Sequence, residues 1–339
     1  MDQDALRSIA AAMVAPGKGI LAADESHGTI TKRFEALGIE SSEETRRRYR
    51  ELFFSAGATS ETISGVILYD ETIRQSASDG TPFPAYLGAR GVVPGIKVDT
   101  GAKDLPGHPG EKVTEGLDGL RERLAEYHRL GARFAKWRAV ITIGEGIPSR
   151  GCIEANAHGL ARYAALCQEA GIVPIVEPEV LMDGAHTIER CQQVTEETLV
   201  EVFRQLHVQG VLLEGIVLKP NMVVSGAECA VQASVEEVAA RTLDTLRRCV
   251  PSAVPGIAFL SGGQSDEDAT AHLDAMNRIG TAPWQLTFSY GRALQAAAMR
   301  TWGGQEGNLP AATAAFEHRA RMNGLARAGR YEAAMESAT

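Results

Sequence analysis

The sequence has 339 residues, 44% of them hydrophobic and 23% charged, the balance of a soluble globular protein rather than a disordered one. The net charge is −9, and beyond RRR at 46–48 no basic block stands out, which argues against a nucleic-acid or anionic-membrane partner. No apolar run approaches the roughly 20 residues that span a bilayer, and five scattered cysteines with no C-x-x-C pair fit a reduced intracellular chain with ordinary buried thiols.

The opening MDQDALRSIAAAMVAPGKG lacks the basic start and long apolar stretch of a secretory signal and reads as an amphipathic helix, with PGKG as a turn into the first strand. Eight short segments rich in Val, Ile, Leu and Phe follow: GILAAD (19–24), ISGVILYD (63–70), VVPGIKVD (92–99), ARFAKWRAVI (132–141), GIVPIVEPEV (171–180), VLLEGIVLKPN (211–221), GIAFLSGG (256–263) and WQLTFSYG (284–291). Most are nearly continuous apolar runs, the pattern of parallel strands buried on both faces. Between them lie stretches with apolar residues at helical spacing, such as LRERLAEYHRLGA (120–132) and TEETLVEVFRQLHVQG (195–210). Strand and helix alternating eight times predict an α/β protein with a (β/α)₈ TIM barrel, extended by the N-terminal helix and by C-terminal helices beyond residue 292. No linker divides the chain, so residues 1–339 are expected to form one domain, with a flexible segment from about residue 330. A doubly wound sheet would need a glycine-rich phosphate turn, and neither G-x-G-x-x-G nor G-x-x-x-x-G-K-[ST] occurs.

Charges gather where a barrel enzyme places its chemistry, at the C-terminal strand ends. Asp24 ends the first segment, Lys97 and Asp99 the third, Glu177 and Glu179 the fifth and Lys219 the sixth, while Lys136 and Arg138 lie in the fourth. Residues two apart on a strand share a face, so K-V-D, K-W-R and E-P-E each project as pairs. One strand-end charge alone is an ordinary salt bridge; half a dozen converging cost too much to bury without a purpose. Only seven of the 34 basic residues are lysines, and three of those sit at strand ends. Arginine does not deprotonate, whereas a lysine near another cation becomes a nucleophilic amine able to form a Schiff base. EGIVLKPNM delivers Lys219 to the barrel mouth, with Lys136 as the neighbouring cation and Glu177 and Glu179 as proton carriers.

LSGGQS (260–265) offers a backbone nest with Ser261 and Gly262, and FSYGRALQ (288–295) presents Arg292 at a helix start after Gly291. Loops after the seventh and eighth strands are the usual phosphate site of this barrel. At the other rim, DESHGTITKR (24–33) holds Ser26, Thr29, Lys32 and Arg33, either a solvated helix start or a second phosphate site. His27 reads as a loop histidine without a partner, Trp137, Trp284 and Trp302 as core, and the eight dispersed histidines predict no zinc or other metal site.

LAADES, GIKVD, FAKWR, IVPIVEPE, EGIVLKPNM, FLSGGQS and TFSYGRALQ occur in the order of the class I fructose-1,6-bisphosphate aldolases, and the resemblance runs from about residue 6 to about 331. It implies a cytoplasmic, metal-independent lyase of glycolysis and gluconeogenesis, with no cofactor, sugar phosphates as partners, and a homotetrameric assembly. By the same resemblance Lys219 is the Schiff-base lysine, Glu177 the acid/base that dehydrates the carbinolamine, and Asp24 the carboxylate assisting carbon–carbon cleavage. Glu179 and Lys136 support them beside Arg138. Ser261, Gly262, Gly291 and Arg292 hold the C1 phosphate, and Lys97, Ser26, Thr29, Lys32 and Arg33 handle the other phosphate and the hydroxyls. A related aldolase preferring fructose 1-phosphate or sedoheptulose 1,7-bisphosphate, or a non-catalytic scaffold, is the alternative. Two departures bear on mechanism. The last tyrosine, Tyr331, matches a position before the family's terminal tyrosine, so enamine protonation is expected to be slow or to fall to another group. His27 stands where a small hydroxyl residue is expected.

Overall fold

In the computed structural model, which describes residues 2–337, the eight apolar segments become Gly19–Ala22, Ile63–Leu68, Val93–Lys97, Phe134–Ile141, Val173–Val180, Val217–Leu218, Gly256–Phe259 and Gln285–Tyr290. Each pairs in parallel with its neighbours in sequence, and the eighth returns to the first through Ile20 opposite Ser289, so the sheet closes as a barrel. The strand residues are buried almost throughout, because helices cover the outer face and side chains fill the inner one.

Two apolar layers result. The outer one joins strands to helices. The inner one packs Ile20, Ile67, Phe134, Val173, Ile175, Val217 and Ala258 inside the barrel. Leu6, Ala10 and Met13 of the helix Gln3–Met13, with Val14, belong to that inner cluster, so the first helix stops the N-terminal end of the barrel like a plug. Inner space is shared unequally: a Cβ on Gly95 would lie 2.2 Å from the Phe134 ring. Phe134 therefore fills the room that glycines leave.

Helix starts follow local chemistry. Ser26, Ser42, Ser149, Thr187, Ser234 and Ser265 each accept an N–H from the residue three positions on, satisfying a donor that the helix leaves free. After the eighth strand the helices Arg292–Trp302 and Leu309–Arg327 complete the outer ring.

Three features depart from the sequence expectation. An antiparallel hairpin, Gly101–Asp104 with Lys112–Glu115, follows the third strand; its short polar runs carry no apolar pattern. The sixth strand is two residues long, because a 3₁₀ turn at Leu213–Gly215 takes up the start of the apolar run. The segment expected to be flexible from about residue 330 is fastened over its described part: Tyr331 N–H donates to Asp274 Oδ1 (2.8 Å), and Glu336 pairs with Arg319 and His318. Residues 338–339 lie outside the described residues. Trp137, Trp284 and Trp302 are buried, and all five cysteines are free thiols, Cys229 and Cys249 only partly covered.

Candidate active site

The C-terminal strand ends surround a cavity of about 300 Å³. Every site residue read from the sequence lines it except Lys32, which is exposed on the helix His27–Glu35. Six basic residues (Arg33, Lys97, Lys136, Arg138, Lys219 and Arg292) face four acidic ones (Asp24, Glu25, Glu177 and Glu179). The cavity is thus locally positive in a chain of net −9.

At its floor four charged groups meet. Lys219 follows the two-residue sixth strand, its N–H held by Val176 O (2.8 Å), and its Nζ lies 3.1 Å from Glu177 Oε1. Lys136 Nζ is 2.6 Å from Asp24 Oδ2 and 3.7 Å from Glu177 Oε2. All four residues are at most 8% exposed. Charges that deep persist only by pairing. For Asp24, burial opposes ionisation, but Lys136 and then Lys219 outweigh it and hold the carboxyl below its ordinary value. For Lys136, burial opposes the charge, and Asp24, Glu177 and Asp99 outweigh it and raise its pKa. Lys136 and Lys219 flank the two oxygens of the Glu177 carboxylate, and Lys136 is also paired with Asp24. Glu177 Oε2 is buried and has no hydrogen-bond partner among the described residues, with the Lys136 ammonium 3.7 Å away.

A second tier steadies the first. Lys97 Nζ reaches Asp99 Oδ1 (2.7 Å) and the Asp99 carbonyl (2.6 Å), so the K-V-D pair closes on itself. Asp99 also accepts from the Arg138 N–H (3.3 Å), and Arg138 forms a close ion pair with Glu179.

The loops after the seventh and eighth strands also line the cavity. Ser261 and Gly262 lie after the seventh strand, and the helix beginning at Arg292 presents its N-terminus after Gly291. Arg292 Nη2 donates to the carbonyls of Gly262 (3.2 Å) and Gln264. In the loop after the first strand, the eighth strand's neighbour in the barrel, Ser26 caps its helix through the Thr29 N–H (3.4 Å) and also lines the cavity. Arg33 pairs with Glu25 at 2.7 Å, and the buried Arg50 meets the same carboxylate at 2.9 Å.

Sequence reasoning missed Glu25 and Ser289. Glu25 hid beside Asp24 in DES, without an i, i+2 partner to mark it. Ser289 was legible in retrospect: along LTFSY the bulky Leu286, Phe288 and Tyr290 join the outer layer, leaving the hydroxyls of Thr287 and Ser289 inward. Ser289 Oγ is buried at the cavity and has no hydrogen-bond partner among the described residues. His27 was read as unpartnered and is not: its Nε2 is 2.9 Å from Glu71 Oε2, its ring is edge-on to Tyr69, and it does not line the cavity. Tyr331 donates its hydroxyl to Glu336 Oε1 (2.9 Å) and also lies outside the cavity.

The family model for fructose-bisphosphate aldolase class-I matches residues 5–339. The chain belongs to that family. A protein of Xanthomonas axonopodis pv. citri named probable fructose-bisphosphate aldolase class 1 is 59% identical over 98% of this chain and 100% of its own length. Human fructose-bisphosphate aldolase C is 53% identical over 98% of this chain and 92% of its own. The fold agrees as closely: the aldolase of Plasmodium falciparum, 49% identical, superposes with a TM-score of 0.95 over 97% of this chain and 95% of that one. The aldolase reaction is the reversible cleavage of fructose 1,6-bisphosphate to dihydroxyacetone phosphate and glyceraldehyde 3-phosphate, and the chain is a lyase.

Proposed function

We propose that Lys219 is the nucleophile of this aldol cleavage and that the four-charge cluster around it carries the proton transfers. The observation that carries the reading is the 3.1 Å approach of the buried Lys219 Nζ to Glu177 Oε1 in the cavity that Ser261, Arg292, Ser26 and Arg33 also line. As a neutral amine, Lys219 attacks the C2 ketone. Glu177 protonates the carbinolamine hydroxyl, which leaves as water, and the resulting iminium is the electron sink. Asp24, an ionised carboxylate held by Lys136, accepts the C4 hydroxyl proton as the C3–C4 bond breaks and glyceraldehyde 3-phosphate departs. The enamine is then protonated and hydrolysed to dihydroxyacetone phosphate.

Glu179 and Arg138 hold each other and keep the neighbouring strand ends in place. Ser261, Gly262, Gly291 and Arg292 take the C1 phosphate through N–H groups, a hydroxyl and a guanidinium. Lys97, Ser26, Thr29 and Arg33 take the C6 phosphate and open-chain hydroxyls; Lys32, exposed on the same helix, reaches a phosphate only from outside the cavity. The family supports a cytoplasmic location, a place in glycolysis and gluconeogenesis and a homotetrameric assembly, which light scattering on the purified chain tests.

Borohydride reduction with dihydroxyacetone phosphate, followed by peptide mapping, tests the mechanism. A stable adduct on Lys219 is expected; an adduct elsewhere, or complete loss of activity in EDTA, would overturn it.

A further inference from the structure

The turn that follows the seventh strand is held by a side chain that never reaches the cavity. Ser261 O accepts two donors from one residue, the Gln264 N–H (3.2 Å) and the Gln264 side-chain Nε2 (3.0 Å). Nε2 also lies 3.8 Å from Met222 Sδ, a weak acceptor. Those two acceptors fix which end of the amide is nitrogen, so Gln264 Oε1 faces the other way, 2.6 Å from His272 Nδ1. Because an amide oxygen only accepts, Nδ1 carries the proton. Burial lowers the His272 pKa, the neighbouring Asp268 and Glu236 notwithstanding, and the Nδ1–H is spent on Gln264. Gln264 is 7% exposed and His272 8%, so both partners are largely buried.

Packing alone does not seat this turn. Behind it is a second cavity of about 270 Å³, lined by Met182, Gly263, Gln264 and His272 among others. Gly262 adopts φ +56°, a left-handed conformation suited to glycine. The Gly262 and Gly263 N–H groups donate to nothing among the described residues. Arg292 rests on the carbonyls of Gly262 and Gln264, so a shift of the turn moves both the free N–H groups and the guanidinium.

We propose that His272, acting through Gln264, is a positioning residue that sets the enzyme's affinity for the C1 phosphate without touching it. The inference rests on the assignment of Ser261, Gly262 and Arg292 to that phosphate. Its signature is a split between KM and kcat, since the Lys219 and Glu177 side chains come from other strands.

The test compares His272→Leu with His272→Asn, whose amide N–H replaces Nδ1–H. His272→Leu forfeits one net hydrogen bond, and the expected rise in KM for fructose 1,6-bisphosphate is roughly 3- to 10-fold, with kcat nearly unchanged. The inhibition constant of inorganic phosphate should rise in parallel, and His272→Asn should recover most of both. An unchanged KM and phosphate constant in folded His272→Leu overturns the proposal. So does a fall in kcat that matches the loss of thermal stability, or a His272→Asn no better than His272→Leu. Borohydride trapping in the wild-type enzyme separates the two readings: failure to label Lys219 defeats the parent mechanism, whereas labelling with an unmoved KM defeats this inference alone.

Discussion

Replacing Lys136 by methionine keeps the length of the side chain and removes its charge. Asp24 then loses the ammonium 2.6 Å away, and Glu177 loses the one at 3.7 Å while keeping Lys219. Stripping one partner from a buried pair costs about 3–5 kcal/mol, because the remaining charge stays desolvated. At about 2.1 cal/mol/K of unfolding entropy per residue, 339 residues give roughly 0.7 kcal/mol/K, so the melting temperature should fall by about 4–7 °C at neutral pH.

The pH dependence supplies the sharper check. In the parent, the Asp24 pKa is depressed, so its contribution to stability is present above the unfolded value and lost as pH falls through the lower folded one. In the variant, burial, the largest influence on Asp24, is opposed only by Lys219 and Lys97, and the pKa is expected to rise, so that ionisation penalises the folded state and protonation relieves that penalty as pH falls. The melting temperatures of parent and variant should therefore converge between about pH 7.5 and pH 5. Lys136→Met combined with Asp24→Asn should recover part of the loss at pH 7.5. Scanning calorimetry of all three proteins at both pH values reads this directly. An equal gap at both pH values, or no recovery in the double variant, would refute the assignment of the cost to Asp24.

Lys219→Arg retains the charge but not the chemistry, and should leave only background cleavage with no borohydride adduct. Glu177→Gln should lower kcat by roughly 10²- to 10⁴-fold in steady-state assays, as expected for loss of a proton-transfer group. Removing the charged contact in Arg292→Ala should raise KM for fructose 1,6-bisphosphate and fructose 1-phosphate alike, by roughly 10- to 150-fold. Gly95→Ala forces a Cβ to 2.2 Å from the Phe134 ring and should cost about 1–3 kcal/mol in denaturant titration, with Phe134→Leu restoring part of it.

The barrel was legible because strands covered on both faces must be apolar throughout, and the intervening helices repeat on their own period. The cluster was legible because charge at the end of an apolar strand is costly and therefore conspicuous. What stayed hidden had no such contrast. The hairpin at 101–115 is polar and short, so neither period marks it. Glu25 faces Arg33 and Arg50 across a fold of the chain, and adjacency to Asp24 disguised it as part of one motif. The Glu71 partner of His27 lies 44 positions along the chain, a contact that only the packing of helix against strand end creates. Lys32 had the right charge and spacing but the wrong helical face.

The plug formed by the first helix also imposes an order on assembly. Its partners at the barrel's lower end, Phe134, Val173, Val217 and Ala258, leave the ribosome long after it does, and the first strand gains its second neighbour only with Ile20 opposite Ser289. The earliest-made apolar helix thus waits, uncovered on its inner face, for almost the entire polypeptide. Contacts of such sequence separation make folding slow, and the waiting segment is where a chaperone would find its hold. Shortening that wait by circular permutation, with the new ends opened at a surface loop and the old ones joined, should speed refolding while leaving the chemistry at the opposite rim as it was.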